Sequence, residues 1–369
     1  MLTNELNGGW EQIISAVSSA NEHKFYICII IIVAVLKLST KIKKTISFVI
    51  KVIITALAVW FVLKRLFSIP ADEYHNLYLS IVGSSAKLAF VFILFVLLFA
   101  NILVESIKWK YIVSETEIIS LKNSIISVLG GITFGVATPN RIGEMFGKVF
   151  ILKKTKASQG ILLSAVGGIS QLLVTFVVGI LAFAIFSFKY LLPTVSQNPK
   201  YVGLTYIALF GLLVFSVGFV LFYFNFGIVS RLLKRFSLKM NDIAQVIYSI
   251  PKRKLLNIFL LSLLKYIIFW IQYYLCFCIV GFNTCGCVLL LVIPLIYLGL
   301  ALIPVFTIAD FGVRGSLAVV LLGVVMGFGF NAPESISSPA LIASTLIWFV
   351  NIAIPSLVGI FAVYKYKIL

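Results

Sequence analysis

An all-α polytopic membrane protein is predicted by the composition, by the length of the apolar runs and by where the basic residues fall. Of 369 residues, 61% are hydrophobic and 11% charged, against about 45–50% and about 25% in soluble domains. So little charge cannot cover a surface in water, and much of that surface is predicted to face lipid. Leu88–Asn101 and Leu204–Phe224 are nearly charge-free, and runs of about 20 apolar residues cross a bilayer as helices. Period-two alternation of apolar and polar residues is absent, so helices rather than a barrel satisfy the backbone.

The net charge is +18, from 30 basic and 12 acidic residues. In a soluble chain that excess would point to nucleic acid. Here the basic residues collect in loops between apolar segments, the pattern that sets membrane orientation and draws anionic lipid headgroups. Membrane lipids with anionic headgroups are the expected partners, and nucleic acid is not.

Residues 1–24 read as a polar N-terminal segment in which Trp10, Ile13, Ile14 and Val17 share a helical face, as in an interfacial helix. No basic start runs straight into an apolar core, so no cleaved signal peptide is expected. Residues 25–369 read as a single transmembrane domain. Its apolar segments fall at roughly 25–38, 46–66, 86–110, 120–137, 142–152, 159–188, 203–225, 256–280, 286–303, 313–330 and 338–364.

Loop charge orients them. The loop at 225–255 carries Arg231, Lys234, Arg235, Lys239, Lys252, Arg253 and Lys254 against Asp242, and Lys148–Lys156 is also basic. Both are placed in the cytoplasm, with Lys41–Lys44 and the C-terminus, while Asp72, Glu73 and Glu334 fall outside. The chain is thus expected to be a multi-pass protein of the cell's inner, cytoplasmic membrane. Residues 120–152 then leave and return on one side, broken at Thr138-Pro139-Asn140. Residues 286–330 do so from the other side, interrupted by Pro294, Pro304 and Gly312. Each half holds three spans and one re-entrant hairpin, 46–188 first and 203–364 second, and three crossings invert the second half. The segment at 25–38 is an extra N-terminal helix. Broken segments at matching places of an inverted repeat point to a transporter's substrate site.

Each hairpin carries charge in helical register. Arg141, Glu144 and Lys148 share one face after Pro139; Asp310 and Arg314 share one around Gly312. Such pairs inside a membrane either neutralise one another and pin the hairpins, or line a wet cavity. On the second reading Arg141 and Arg314 meet near the midplane and hold an anionic headgroup, phosphate above all, through the two-bond guanidinium fork. Lys148, Thr138 and Asn140 complete the candidate substrate-binding set. Pro139, Gly143, Pro304 and Gly312 are candidate hinges. Glu105, Lys108 and Trp109 read as the belted cytoplasmic end of a span, and Lys265 as a deeper candidate.

Enzyme templates do not fit. His23 and His75 lie outside the spans, no G-x-x-x-x-G-K-[ST] loop is present, and no catalytic residues are assigned. Cys276/Cys278 and Cys285/Cys287 lack C-x-x-C spacing and a neighbouring histidine, so neither a metal nor a cofactor is expected.

The stretch Ala137-Thr-Pro-Asn-Arg-Ile-Gly-Glu-Met-Phe-Gly-Lys148 resembles the T-P-x-R-x-G-E-x-x-R signature of the lysylphosphatidylglycerol synthase transmembrane region family. Ile303–Arg314 is similar to that family's second signature, a proline followed by G-G-x-G-x-R-E. Thr138, Pro139, Arg141, Gly143 and Glu144 match, as do Pro304, Gly312 and Arg314. The signature's closing Arg is replaced in this chain by Gly147 with Lys148 directly beside it, while Asp310 replaces a Gly and Gly315 a Glu. The resemblance implies a flippase-like protein, akin to the lipid-translocating half of the bacterial multiple peptide resistance factor. The expected function is movement of a phospholipid or polyprenyl-phosphate lipid across the membrane. A membrane-embedded transferase on a lipid-linked substrate and a non-catalytic partner of an envelope-lipid enzyme are the alternatives, and a second copy is a further candidate partner. The sequence ends at Leu369, close after its last apolar segment, so no soluble synthase domain is expected.

Overall fold

In the computed structural model of the protein most of the described helices coincide with the apolar runs of the sequence. The structure describes residues 78–79, 81–136, 138, 141–225, 250–282, 286–303, 307–330 and 332–365. The interfacial segment 1–24, the segments 25–38 and 46–66, Pro139, Asn140, Pro304 and most of the basic loop at 225–255 lie outside the described residues.

Helix α1 spans Ser85–Val113, opened by Ser84, whose hydroxyl accepts from the Lys87 N–H. Helices α2 (Leu121–Val136) and α3 (Gly143–Val149) follow as a short antiparallel pair. Helix α4 (Ala157–Phe186) runs on through a π-turn at Ser187–Leu191 to Val195. Asn198 caps α5 (Pro199–Phe224), with Pro199 in the first turn, where its missing N–H costs nothing. Helix α6 (Lys252–Val280) stops at Gly281, whose φ of 84° is the left-handed conformation glycine adopts without strain. Helices α7 (Gly286–Leu302) and α8 (Thr307–Val325) form a second short pair. Helix α9 (Glu334–Trp348) passes through a π-turn at Phe349–Ala353 into α10 (Ile354–Lys365).

Among the described residues five stretches are long and apolar enough to cross a membrane: Ser85–Val113, Ala157–Val195, Pro199–Phe224, Lys252–Val280 and Glu334–Phe361. Their outward side chains are apolar; Phe92 is 70% and Phe210 69% exposed, which water would penalise and lipid would not. The described residues form no strand. The chain is an all-α, multi-pass membrane protein.

The second pair corrects two expectations. Pro294 and Gly312 do not interrupt it: α7 continues through Pro294, and α8 starts at Thr307 and continues through Gly312. A membrane helix tolerates proline where its neighbours enclose the loosened turn, and Pro294 is buried. Among the described residues α7 ends at Leu302 and α8 begins at Thr307. Starting α8 early places Asp310 in its first turn, where a carboxylate complements the helix dipole.

Two buried clusters hold the bundle. One joins α1, α6, α7, α8 and α9 around Tyr273, Phe277, Ile293 and Leu322. The other joins α1, α2, α4 and α6 around Trp109, Val128, Leu163 and Ile258. Trp109 is therefore core rather than interfacial belt; its Nε1–H donates to Ser127 Oγ at 3.0 Å. Glycine brings α2 and α3 close: a Cβ on Gly147 would sit 2.6 Å from Gly131 Cα and 2.8 Å from Gly130 O. At the end of the spans, Lys254 in the first turn of α6 pairs with Glu115 at 2.6 Å. Glu117 accepts the N–H groups of Lys153, Lys154 and Thr155 at 3.0, 2.8 and 3.1 Å. Partial burial pushes the Glu117 carboxyl up, but these three donors more than offset it and hold it below the ordinary glutamate range.

Candidate functional site

A cavity of about 460 Å³ lies among α1, α3, α4, α6, α7, α8 and α9, within the range of small-molecule sites. Five cationic side chains line it, Lys108, Arg141, Lys148, Lys265 and Arg314, against three carboxylates, Glu105, Glu144 and Asp310. Among the described residues its wall therefore carries a formal excess of two positive charges.

The carboxylates hold the cations in place. Glu105, 5% exposed, is the hub: Oε2 meets Lys108 and Lys265 at 2.7 Å each, and Oε1 meets Lys148 at 2.6 Å. Those three lysines come from α1, α6 and α3, so one carboxylate ties three helices. Glu144 adds Lys148 at 2.8 Å and Arg141 at 3.1 Å. Across the cavity Arg314 pairs with Asp310 at 2.8 Å, and its guanidinium lies 5.5 Å from the Tyr297 ring and 6.0 Å from the Tyr273 ring. Nε of Arg141 and Nε of Arg314 are buried and make no hydrogen bond among the described residues. Each guanidinium group thus has one donor that no described residue uses.

Local backbone explains how Arg141 gets there. It sits in the turn before α3 at φ 57°, the one non-glycine positive φ among the described residues. The left-handed region costs an L-residue roughly 1–2 kcal/mol, and such strain clusters at functional positions. The turn is locked from both sides. Thr138 Oγ1 accepts the Gly143 N–H at 2.7 Å, and a Cβ on Gly143 would overlap the Phe134 carbonyl. Thr138 and Gly143 therefore shape the turn. No such crowding exists at Gly312, where a Cβ would meet nothing within 4 Å.

Of the residues singled out from sequence, Arg141, Glu144, Lys148, Asp310 and Arg314 line this one cavity. Pro139, Asn140 and Pro304 lie outside the described residues. Glu105 and Lys108 were assigned to a span end, yet they form the centre of the charged wall. Helix rise sets the depth: Glu105 lies about 12 Å along α1 from Val113, and Lys265 about 20 Å along α6 from Lys252. The signal for them was present: an acid and a base three apart, several residues short of the end of an unusually long apolar helix. Gln171, Tyr266 and Asn351 also line the cavity and carried no charge to mark them. No group of histidine, cysteine or carboxylate side chains among the described residues is arranged to hold a metal.

No curated protein and no solved structure matches this chain. The family model for the lysylphosphatidylglycerol synthase TM region matches residues 48–359, which include both helix pairs and the whole charged wall. The chain belongs to the lysylphosphatidylglycerol synthase transmembrane region family.

Proposed function

We propose that the protein is a lipid translocase that carries an anionic phosphate headgroup, of a phospholipid or a polyprenyl phosphate, across the cytoplasmic membrane. The observation that carries this reading is the pair of arginines, one from each short helix pair, on a single cavity with excess positive charge and an unused Nε donor on each. Arg binds phosphate through parallel hydrogen bonds and stays charged when buried. In the empty cavity Glu144 and Asp310 stand in for the phosphate and stop the cations repelling one another; the entering headgroup competes for them. Glu105 keeps Lys108, Lys148 and Lys265 inside the wall throughout.

In the same reading α2–α3 and α7–α8 are re-entrant hairpins of two inverted repeats. Support comes from their shared plan: an acid in the first turn of the second helix and a base four residues later, Glu144 with Lys148 and Asp310 with Arg314. The arms of α2–α3, 16 and 7 residues, fall short of the ~20 needed to cross. The basic ends carrying Lys153, Lys154 and Lys254 face the cytoplasm, as does the C-terminus.

The test is reconstitution in liposomes with a fluorescent phosphatidylglycerol, read by bleaching of the outer leaflet. The expected result is translocation that is lost in Arg314→Ala protein inserted at equal density. Transport at the protein-free rate by the unaltered chain would refute the reading.

A further inference from the structure

Besides its charges, the cavity wall carries uncharged polar side chains. Tyr266 lies on α6, Gln171 on α4 and Asn351 in the π-turn between α9 and α10, and all three line the cavity. Each holds a buried polar atom with no partner among the described residues: the Tyr266 hydroxyl, Gln171 Oε1 and Asn351 Nδ2. Tyr266 is only 2% exposed. Buried polar atoms are normally paired, and each exception asks for a reason.

Asn351 is oriented by Asn101, whose Nδ2 donates to Asn351 Oδ1 and to Gln272 Oε1 at 3.5 Å each. That leaves the Asn351 amide N–H groups for the cavity. A π-turn inserts an extra residue into a helix and recurs at functional sites; here it sets Asn351 on the cavity wall. Tyr297 packs 5.8 Å from Tyr266, centroid to centroid, so aromatic surface adjoins these groups.

We propose that this wall binds a neutral, hydroxylated group esterified to the phosphate, a sugar or a polyol, and that Gln171, Tyr266 and Asn351 determine headgroup specificity. The inference rests on the phosphate reading above. Hydroxyls both donate and accept, and the wall offers both: donors from Tyr266 and Asn351, an acceptor from Gln171. An ammonium headgroup is disfavoured, because the lining's five cations against three carboxylates keep an excess of positive charge even with one phosphodiester bound. The volume of about 460 Å³ also leaves room for more than a phosphate.

The experiment measures binding of dioctanoyl lipids to the purified full chain in detergent. Phosphatidylethanol is a phosphodiester of the same charge as phosphatidylglycerol and phosphatidylinositol but has no headgroup hydroxyl. The inference predicts that the glycerol or the inositol lipid binds roughly tenfold tighter than phosphatidylethanol, and phosphatidylethanolamine no tighter than phosphatidylethanol. Preference for the inositol ring would identify a sugar-like group, and preference for glycerol a small polyol. Tyr266→Phe and Gln171→Leu should each bring that affinity ratio towards one. Equal binding of the three anionic diesters, a preference for the ethanolamine lipid, or variants that keep the ratio intact would overturn the inference. The phosphate reading fails separately, if phosphatidylethanol binds no tighter than uncharged dioctanoylglycerol.

Discussion

Replacing Glu105 by glutamine tests whether the charged wall is held together by one carboxylate. The side chain is nearly isosteric, so its volume is kept while the charge is removed. Three buried lysines then lose their common partner: Lys108 and Lys265 at 2.7 Å and Lys148 at 2.6 Å. Lys148 retains Glu144 at 2.8 Å; the described residues offer Lys108 only the Ser262 hydroxyl at 3.4 Å. Breaking a buried pair from one side costs about 3–5 kcal/mol, because it strands an uncompensated charge. The loss here belongs at the upper end, since more than one lysine is stranded. Unfolding in a graded detergent–denaturant series, followed by far-ultraviolet circular dichroism, gives the stability. Glu105→Gln should lose several kcal/mol, and Lys108→Met in the same chain should recover part of it by removing one stranded cation. A stability within about 1 kcal/mol of the unaltered chain would show that water already screens these charges, and the hub assignment would fall.

Three further outcomes follow from the same geometry. Gly147→Ala forces a methyl against Gly131 Cα and Gly130 O and should cost about 1–3 kcal/mol as overpacking, whereas Gly312→Ala, in open space within a helix, should be neutral or stabilising by up to about 1 kcal/mol; equal effects in the denaturant series would refute the close-approach argument. Arg141→Gly should unfold later than Arg141→Ala by roughly 1 kcal/mol, because only glycine relaxes at φ 57°, yet neither should translocate lipid; an alanine variant as stable as the glycine one would remove the strain argument. The Glu117 carboxyl is held below its ordinary value by three N–H donors, so its stabilisation is complete above the unfolded value of about 4.3 and is lost as the pH falls through the lower folded value. Glu117→Gln should therefore flatten the stability–pH curve on the acid side, and an unchanged slope would contradict it.

How much of this was legible in the sequence follows from what each signal measures. Apolar runs are a one-dimensional property, so the helices at Ser85–Val113, Leu121–Val136 and Lys252–Val280 match the expected segments to within a few residues. Charges at three- and four-residue spacing are also local, and the pairs Arg141–Glu144, Glu144–Lys148 and Asp310–Arg314 stand as the spacing implied. What spacing cannot give is which helix faces which. Glu105 was assigned to a span end because its meaning depends on Lys148 and Lys265, 43 and 160 positions away. Trp109 was misplaced for the same reason: a tryptophan beside lysines fits both an interfacial belt and a core anchor, and only Ser127 on α2 decides. Proline and glycine carry less weight in the second pair than their reputation as breakers suggests: Pro294 is enclosed by its neighbours, and a single glycine such as Gly312 weakens a helix without ending it. Gln171, Tyr266 and Asn351 leave little sequence trace, because glutamine, tyrosine and asparagine in apolar helices read as interhelical contacts.

The central claim is that Arg141 and Arg314 serve a phosphate and do not merely neutralise carboxylates. Arg314 is the cleaner case, since its ion pair among the described residues is with Asp310 alone. The most direct measurement compares Arg314→Ala, Asp310→Ala and the double variant for both stability and translocation of fluorescent phosphatidylglycerol in liposomes. If the arginine binds phosphate, Arg314→Ala and the double variant both lose transport, and Arg314→Lys is impaired although its charge is kept, because lysine cannot form the two-bond fork. If it only balances Asp310, Arg314→Ala strands a carboxylate, and removing Asp310 as well restores both folding and transport. Recovery of translocation in the double variant would contradict the account.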